Sequence, residues 1–342
     1  MTAPTLPTVT LPTVSVVIPL YQTERYIAET LQSVLAQTLA DFEVIVVDDG
    51  SSDRGPAIAR AVGDARVRVV RQNNRGLAGA RNTGIRNARG RYIALLDADD
   101  LWEADKLARH VAAMDADPAV GVSFSASRLV DDDGADIGMI QSPAGRVFDA
   151  ASIFCRNPIG NGSAPVLRRE ALTAIAYEDE RLNRTCWFDE SFRQSEDIEC
   201  WTRIAATTPW TFHYIDAPLT RYRVNAGGLS ANVAPQLATW QRFRAKVAVY
   251  APTLHAANGD RAEGYQLRYL ARRAVRSGDA KTASEMIVHA LKLAPRMIIE
   301  EPVRTLSTVA AALIQRAMPK AVFQTAERVA AGLVRAVPGL RM

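Results

Sequence analysis

Three carboxylates, Asp97, Asp99 and Asp100, follow a short apolar run over residues 92–96. The run is too short for a helix and is bounded by Gly90, so it reads as a strand buried on both faces. Carboxylates this close repel one another, and a bound cation relieves the repulsion. Hard oxygen ligands at such spacing suit Mg²⁺ or Mn²⁺, which share one or two carboxylates with a substrate's phosphates. The alternative is a capping box, with Asp100 as N-cap of the next helix and Glu103 three residues on. Capping needs one Asp, and the chain supplies three. A second acidic cluster, Asp48-Asp49-Gly50, stops another apolar run. A third, Glu196-Asp197, follows Ser195, which reads as a helix N-cap. Two readings of that pair stay open here, a general base or a first-turn charge pair favouring the helix dipole.

These residues need a scaffold that brings the ends of separate strands together. The first 125 residues alternate strand and helix patterns. Residues 14–18, 42–47, 67–70, 92–96 and 120–124 read as strands. Ile27, Leu31, Val34 and Leu35 fall at helical spacing, helices are expected at 56–62 and 78–88, and Leu107, Val111 and Met114 mark another. Strands joined by helix-length crossovers build a doubly wound, mostly parallel sheet, whose ligands bind beyond the carboxyl ends of the strands. Residues 19–21, 48–49 and 97–99 all follow strands, so one crevice is expected to be lined by all three. Beyond Ser125 the pattern is less regular. Residues 131–134 read as a hairpin turn and residues 160–163 as a flexible loop before a strand at 164–167.

The 342 residues suffice for one large α/β domain and a smaller appendage. Cys155, Cys186 and Cys200 form no CxxC pair, which argues against a disulfide framework or zinc site and for a reducing compartment. No stretch reads as a signal peptide or membrane span, so a cytoplasmic protein is expected. Charge is unevenly spread: residues 236–342 carry 17 Lys+Arg against 7 Asp+Glu, and residues 1–235 carry 24 against 30. The basic third is helical in pattern, with a hairpin of helices at 262–276 and 280–293 that has tetratricopeptide-like spacing. The expected organisation is therefore an N-terminal arm (1–12), an α/β domain (13–235, with halves at about 13–125 and 126–235) and a basic α-helical C-terminal region (236–342).

Five stretches carry a family resemblance: Val14-Ser-Val-Val-Ile-Pro-Leu-Tyr21, Phe42-Glu-Val-Ile-Val-Val-Asp-Asp-Gly-Ser-Ser-Asp53, Asn74-Arg-Gly-Leu-Ala-Gly-Ala-Arg-Asn-Thr-Gly84, Ile93-Ala-Leu-Leu-Asp-Ala-Asp-Asp-Leu-Trp102 and Ser195-Glu-Asp197. In this order the set resembles the family 2 glycosyltransferases, over roughly residues 13–230. The resemblance implies a GT-A fold and an inverting transfer of one sugar from a nucleotide-diphosphate sugar, expected to be a UDP-sugar, to a hydroxyl. It also implies roles. Pro19 and Tyr21 would flank the base, and Asp49 would accept a hydrogen bond from it. Arg81 would face the diphosphate, with Gly76 and Gly79 allowing close backbone approach. Asp97 and Asp99 would form the DxD signature, Asp99 as ligand of Mn²⁺ or Mg²⁺ and Asp97 toward the ribose. Asp197 would be the general base and Glu196 would orient the acceptor.

The acceptor is expected to be a glycan or a lipid-linked sugar, as in cell-surface polysaccharide assembly. The basic tail could meet the anionic inner face of the membrane. The chain departs from the family pattern where many relatives carry a His after the last strand, since Tyr222-Arg223-Val224 is followed by Asn225. The Gln-x-x-Arg-Trp motif of processive synthases is also absent. Two other classes stand beside this reading. A catalytically degenerate sugar-nucleotide-binding scaffold is disfavoured by the retained Asp99 and Asp197. A nucleotidyltransferase is disfavoured because Pro19-Leu20-Tyr21 stands where a basic Gly-rich loop belongs. No basic-aromatic platform suggests nucleic acid.

Overall fold

A computed structural model describes residues 11–224 and 233–317. In chain order the elements begin β1 (Val14–Leu20), α1 (Ile27–Leu35), β2 (Phe42–Asp48), α2 (Gly55–Ala61), β3 (Val67–Arg71), α3 (Gly76–Asn87), β4 (Tyr92–Leu95), β5 (Leu101–Trp102) and α4 (Lys106–Ala116). They continue with β6 (Val120–Val130), β7 (Asp136–Gln141), α5 (Ala150–Arg156), β8 (Val166–Arg168), α6 (Arg169–Ile175), β9 (Tyr177–Asp179) and β10 (Arg184–Cys186). The last are α7 (Glu196–Thr207), β11 (Thr211–Arg223), α8 (Val233–Tyr250), α9 (Pro252–Ser277), α10 (Ala280–Leu293), α11 (Met297–Glu300) and α12 (Pro302–Ala317). Among the described residues the chain divides into two compact units, the first drawn from within 1–125, 161–190 and 212–222, the second from within 126–160, 191–211 and 223–342.

In the first unit the strand order β3-β2-β1-β4 is parallel, as crossover helices require. β1 and β2 are buried along their whole length, which explains their unbroken Val and Ile runs. Pro19 is tolerated in this central strand because β4 pairing ends at Val17↔Leu95, so the missing N–H removes no ladder bond on that side. Helix α3 lies close on β1: a Cβ at Gly84 would collide with the Val17 side chain. The core gathers Val16, Ile18, Leu31, Val44, Val46, Tyr92, Leu107 and Met114.

The expected continuation to the 120–124 strand takes a different form. The short β8 inserts beside β4 in antiparallel sense (Tyr92↔Arg168) and pairs in turn with β6 (Val122↔Leu167). Beyond these the order runs to β11 and β5, so the sheet is mixed, with β3-β2-β1-β4 its parallel part. Residues 161–168, which include all but Gly160 of the stretch expected to be a flexible loop, are buried. They are held by the hydrogen bonds described below. The stretches read as separate near 210–215 and 221–223 are one continuous strand, β11.

The second unit is mainly helical. β7 pairs with the late part of β6 through the predicted turn, where Gly134 adopts φ +80 and its N–H bonds to Asp131 O at 3.0 Å. Phe154, Trp240, Phe243, Val247, Leu267 and Ile287 are part of a separate core. Helix α9 starts about three turns before the expected boundary at residue 262, with Pro252 in its first turn, where a missing N–H is harmless. It ends at Gly278, left-handed at φ +79, and Asp279 then caps α10 by accepting from Thr282 N at 3.1 Å. A Cβ at Gly264 would lie 2.6 Å from Ala294 Cβ, so this glycine lets α9 run close to the end of α10. All three cysteines are buried, and none forms a disulfide. No helix among the described residues is long and apolar enough to cross a membrane.

Candidate active site

The acidic cluster after β4 forms a tight turn in which Asp100 N donates to Asp97 O at 3.1 Å. Thr30 Oγ1 donates to Ala98 O at 2.9 Å and ties the turn to α1. The three carboxylates part company here. Asp100 is fully buried and accepts from the Ser163 hydroxyl, so it is structural. It does not cap α4, which begins at Lys106. Asp97 and Asp99 are only half-buried.

Arg81, 1% exposed, meets Asp97 Oδ1 through Nη2 at 2.8 Å and lies over the Phe188 ring at 5.5 Å. The buried guanidinium is committed to the Asp97 carboxylate. Space for it comes from Gly162, where a Cβ would fall on Arg81 Nη2 and reach within 3.0 Å of Asp97 Oδ2. Gly76 and Gly79 also have roles within the protein. Gly76 takes φ +79 at the start of α3, and Gly79 leaves room for the side chains of Arg75 and Glu190.

Asp49 is 2% exposed. It accepts from Arg75 N and Gly76 N at 2.8 Å each and from Gln72 Nε2 at 2.6 Å. It thus caps the N-terminus of α3 from a distant part of the chain, satisfying amides that no helix residue reaches. Asp48 Oδ1 accepts from Ser51 N at 2.9 Å and shapes the turn after β2. Pro19 is buried in β1, whereas Tyr21 just beyond it is 51% exposed. Tyr21, Asp49, Asp97 and Asp99 therefore all stand at the carboxyl ends of three adjacent parallel strands, β1, β2 and β4.

Several residues here escaped sequence reading. Asn82, buried in mid-helix, accepts from Trp187 N and Phe188 N (3.0 and 2.9 Å) and donates to Phe188 O at 2.8 Å. It pins residues 187–190 against α3. Glu190 in turn lies 3.8 Å from Arg75. An Asn inside a helix is poor for propensity, and that was the one available signal. Below the Asp-rich turn, Lys106 is buried. Its Nζ donates to Ala164 O at 2.8 Å and Thr220 Oγ1 at 3.2 Å, and lies 3.3 Å from His110 Nε2. Burial pulls the Lys106 ammonium down to about 7 and holds His110 well below its ordinary value.

Glu196 and Asp197 open α7 in the second unit. Glu196 is buried and Asp197 half-buried, with Asp197 Oδ1 accepting from Ile198 N at 2.7 Å. Ser195 precedes them at φ +61, and its side chain makes no cap bond. The expected serine cap is therefore replaced by a left-handed residue, a costly conformation for a side chain bearing a Cβ. Buried Glu199, 3.1 Å from both Arg203 and Lys246, with buried Cys200 and Trp201, anchors the helix. Asn225 lies outside the described residues, and His213 is exposed on β11.

The donor set at the turn fits a hard divalent cation, because Asp97 and Asp99 present carboxylate oxygens at a half-buried position. Among the described residues no group of three or more His, Cys, Asp or Glu side chains could hold an ion.

The model of the family described as Glycosyl transferase family 2 matches residues 15–175. An E. coli protein named UDP-Glc:alpha-D-GlcNAc-diphosphoundecaprenol beta-1,3-glucosyltransferase WfaP is 30% identical over 228 residues, 66% of this chain and 82% of that one. An uncharacterized glycosyltransferase of Rickettsia felis is 31% identical over 63% of this chain. The match spans only 33% of that relative's length, about a third. Among solved structures, a mannosyltransferase from Pyrobaculum calidifontis in complex with GDP-Man and Mn²⁺ is similar at a TM-score of 0.56 and 26% identity, covering 90% of this chain and 87% of that one. The sheet order, the Asp-rich strand ends and these likenesses agree: the chain belongs to the family 2 glycosyltransferases, with the GT-A fold.

Proposed function

We propose that the protein is an inverting glycosyltransferase that moves a single sugar from a UDP-sugar to a hydroxyl of a glycan or lipid-linked acceptor. The observation that carries this reading is the convergence of Tyr21, Asp49, Asp97 and Asp99 at the ends of adjacent parallel strands, with buried Arg81 paired to Asp97. Such strand ends are where open α/β sheets bind ligands. Tyr21 offers its exposed ring to the base beside Pro19, and Asp49 accepts a hydrogen bond from the base. Asp97 meets the ribose, and Arg81 directs positive charge toward the diphosphate. Asp99, assisted by Asp97, holds Mn²⁺ or Mg²⁺. The cation supplies charge against the negative charge that builds on the leaving diphosphate. Asp197 takes the proton of the acceptor hydroxyl as that oxygen attacks the anomeric carbon, and Glu196 orients the acceptor.

The lipid-linked acceptor rests on the name of the E. coli relative and on the basic composition of residues 236–342. Exposed Val303, Leu306 and Leu313 on α12 add apolar surface to that region. On this reading the enzyme works in the cytoplasm at the anionic inner face of the membrane, where each Lys or Arg adds about 1 kcal/mol.

The test is calorimetric titration of UDP into the purified chain with Mn²⁺ and with EDTA, followed by hydrolysis assays on UDP-sugars. Metal-dependent binding with sugar release is expected. Silence toward UDP, GDP and dTDP in both conditions would overturn the assignment and leave a scaffold that shares only the fold.

A further inference from the structure

The buried segment at residues 161–164 touches the Asp97–Asp100 turn more closely than any resemblance implied, and one side chain does most of the joining. Ser163 is fully buried, and each of its polar atoms is committed. Its N–H donates to Asn161 Oδ1 at 3.1 Å. Its carbonyl accepts from Trp102 Nε1 at 3.0 Å and from Thr220 Oγ1 at 3.3 Å. Its hydroxyl donates to the Asp100 carboxylate while accepting from Asp97 N at 3.0 Å. The neighbouring residues continue the join. Gly162 lies against the Arg81–Asp97 pair, and Ala164 O receives the buried Lys106 ammonium at 2.8 Å.

We propose that Ser163 is a positioning residue of the donor site, holding the Asp97–Asp100 turn so that Asp97 stays on Arg81 and Asp99 faces the cation and diphosphate. The inference rests on the glycosyltransferase reading of that turn. Its physical content is geometric. A hydroxyl is the smallest side chain that donates to Asp100 and accepts from the Asp97 amide at once. Removing it leaves a buried carboxylate and a buried amide each short of a partner. Thr30 holds the opposite side of the turn at Ala98, so the loss should loosen the turn rather than unfold the sheet. A carboxylate displaced by even an ångström weakens a cation site, because the ligand geometry must be preorganised.

The experiment measures the affinity of the full chain for UDP as a function of Mn²⁺, by calorimetry, for wild type, Ser163→Ala and Asp100→Asn, with thermal melts in parallel. Ser163→Ala should weaken Mn²⁺-dependent UDP binding by about tenfold or more and raise the Mn²⁺ concentration needed for half-maximal affinity. UDP binding in EDTA should stay as in wild type. Asp100→Asn keeps an acceptor for the hydroxyl but loses its charge, and should show a smaller loss in the same direction. If Ser163→Ala does not fold, Asp100→Asn carries the decision alone. Variants that melt earlier yet keep wild-type Mn²⁺ dependence overturn the proposal and leave Ser163 as a packing residue. A wild-type chain that binds no nucleoside diphosphate overturns the underlying reading, an outcome the wild-type titration alone reveals.

Discussion

Two carboxylate pairs stand at element ends, and they are held in opposite ways. Asp97 and Asp99 occupy a turn tied from outside by Ser163, Thr30 and Arg81, residues distant in sequence. Glu196 and Asp197 begin a helix entered through the left-handed Ser195 and anchored by Glu199, Arg203 and Lys246. The first pair sits in a turn bonded to side chains across the unit, the second at a helix start whose helix is tied through Glu199 to Lys246 of α8. In the roles proposed above, a shared cation needs fixed distances, which a bonded turn provides, and a general base needs a set direction toward the acceptor hydroxyl, which a helix start provides.

Mutations that remove the carboxylates should have the largest effect and should separate the pairs most cleanly. Asp197→Asn should lower turnover at least on the order of 10²-fold while leaving Mn²⁺-dependent UDP binding intact. Near-wild-type turnover would remove Asp197 from the base role. Asp99→Ala should lower turnover by a similar order and weaken that binding as well. Equal binding with and without Mn²⁺ in wild type would break the comparison at its first half.

Next in size is the space around the buried cation. Gly162→Ala puts a methyl onto Arg81 and should cost about 1–3 kcal/mol in urea unfolding, the usual cost of overpacking, together with donor affinity. Gly84→Ala, which collides with Val17, should cost similar stability without altering the Mn²⁺ dependence.

The pH dependence of stability tests the buried ammonium. The Lys106 pKa falls from 10.5 in the unfolded chain to about 7 in the fold, so between these values the unfolded chain binds more protons. Stability should therefore rise with pH from about 7 toward 10.5 and be flat in this component below 7. Lys106→Met should remove that rise, measured as melting temperature against pH relative to wild type. Smallest is Ser195→Gly. Relief of φ +61 should raise stability by about 1 kcal/mol, since glycine adopts this region at little steric cost. No change in unfolding midpoint would show that the helix start bears no strain.

Local pattern reached far into this molecule. The Val and Ile runs of β1 and β2, the punctuation at Gly90, the Asp131–Gly134 turn and the Gly278-Asp279 junction are all legible, because burial on both faces and left-handed turns restrict residue type at the position itself. The acidic clusters could be found for the same reason, since repelling carboxylates are conspicuous wherever they occur. Tertiary structure alone decided which carboxylate does what. Asp100 is buried by a hydroxyl 63 positions away, Asp49 caps a helix 27 residues downstream, and Arg81 is drawn inward by Asp97. The antiparallel insertion of three-residue β8 beside β4 was equally hidden, because so short a strand has no period to read. Composition and spacing determine which groups are available and which elements form around them. Partners far apart in the chain determine where each charge ends up, because a buried polar atom is stabilised only by the group that the folded chain places against it.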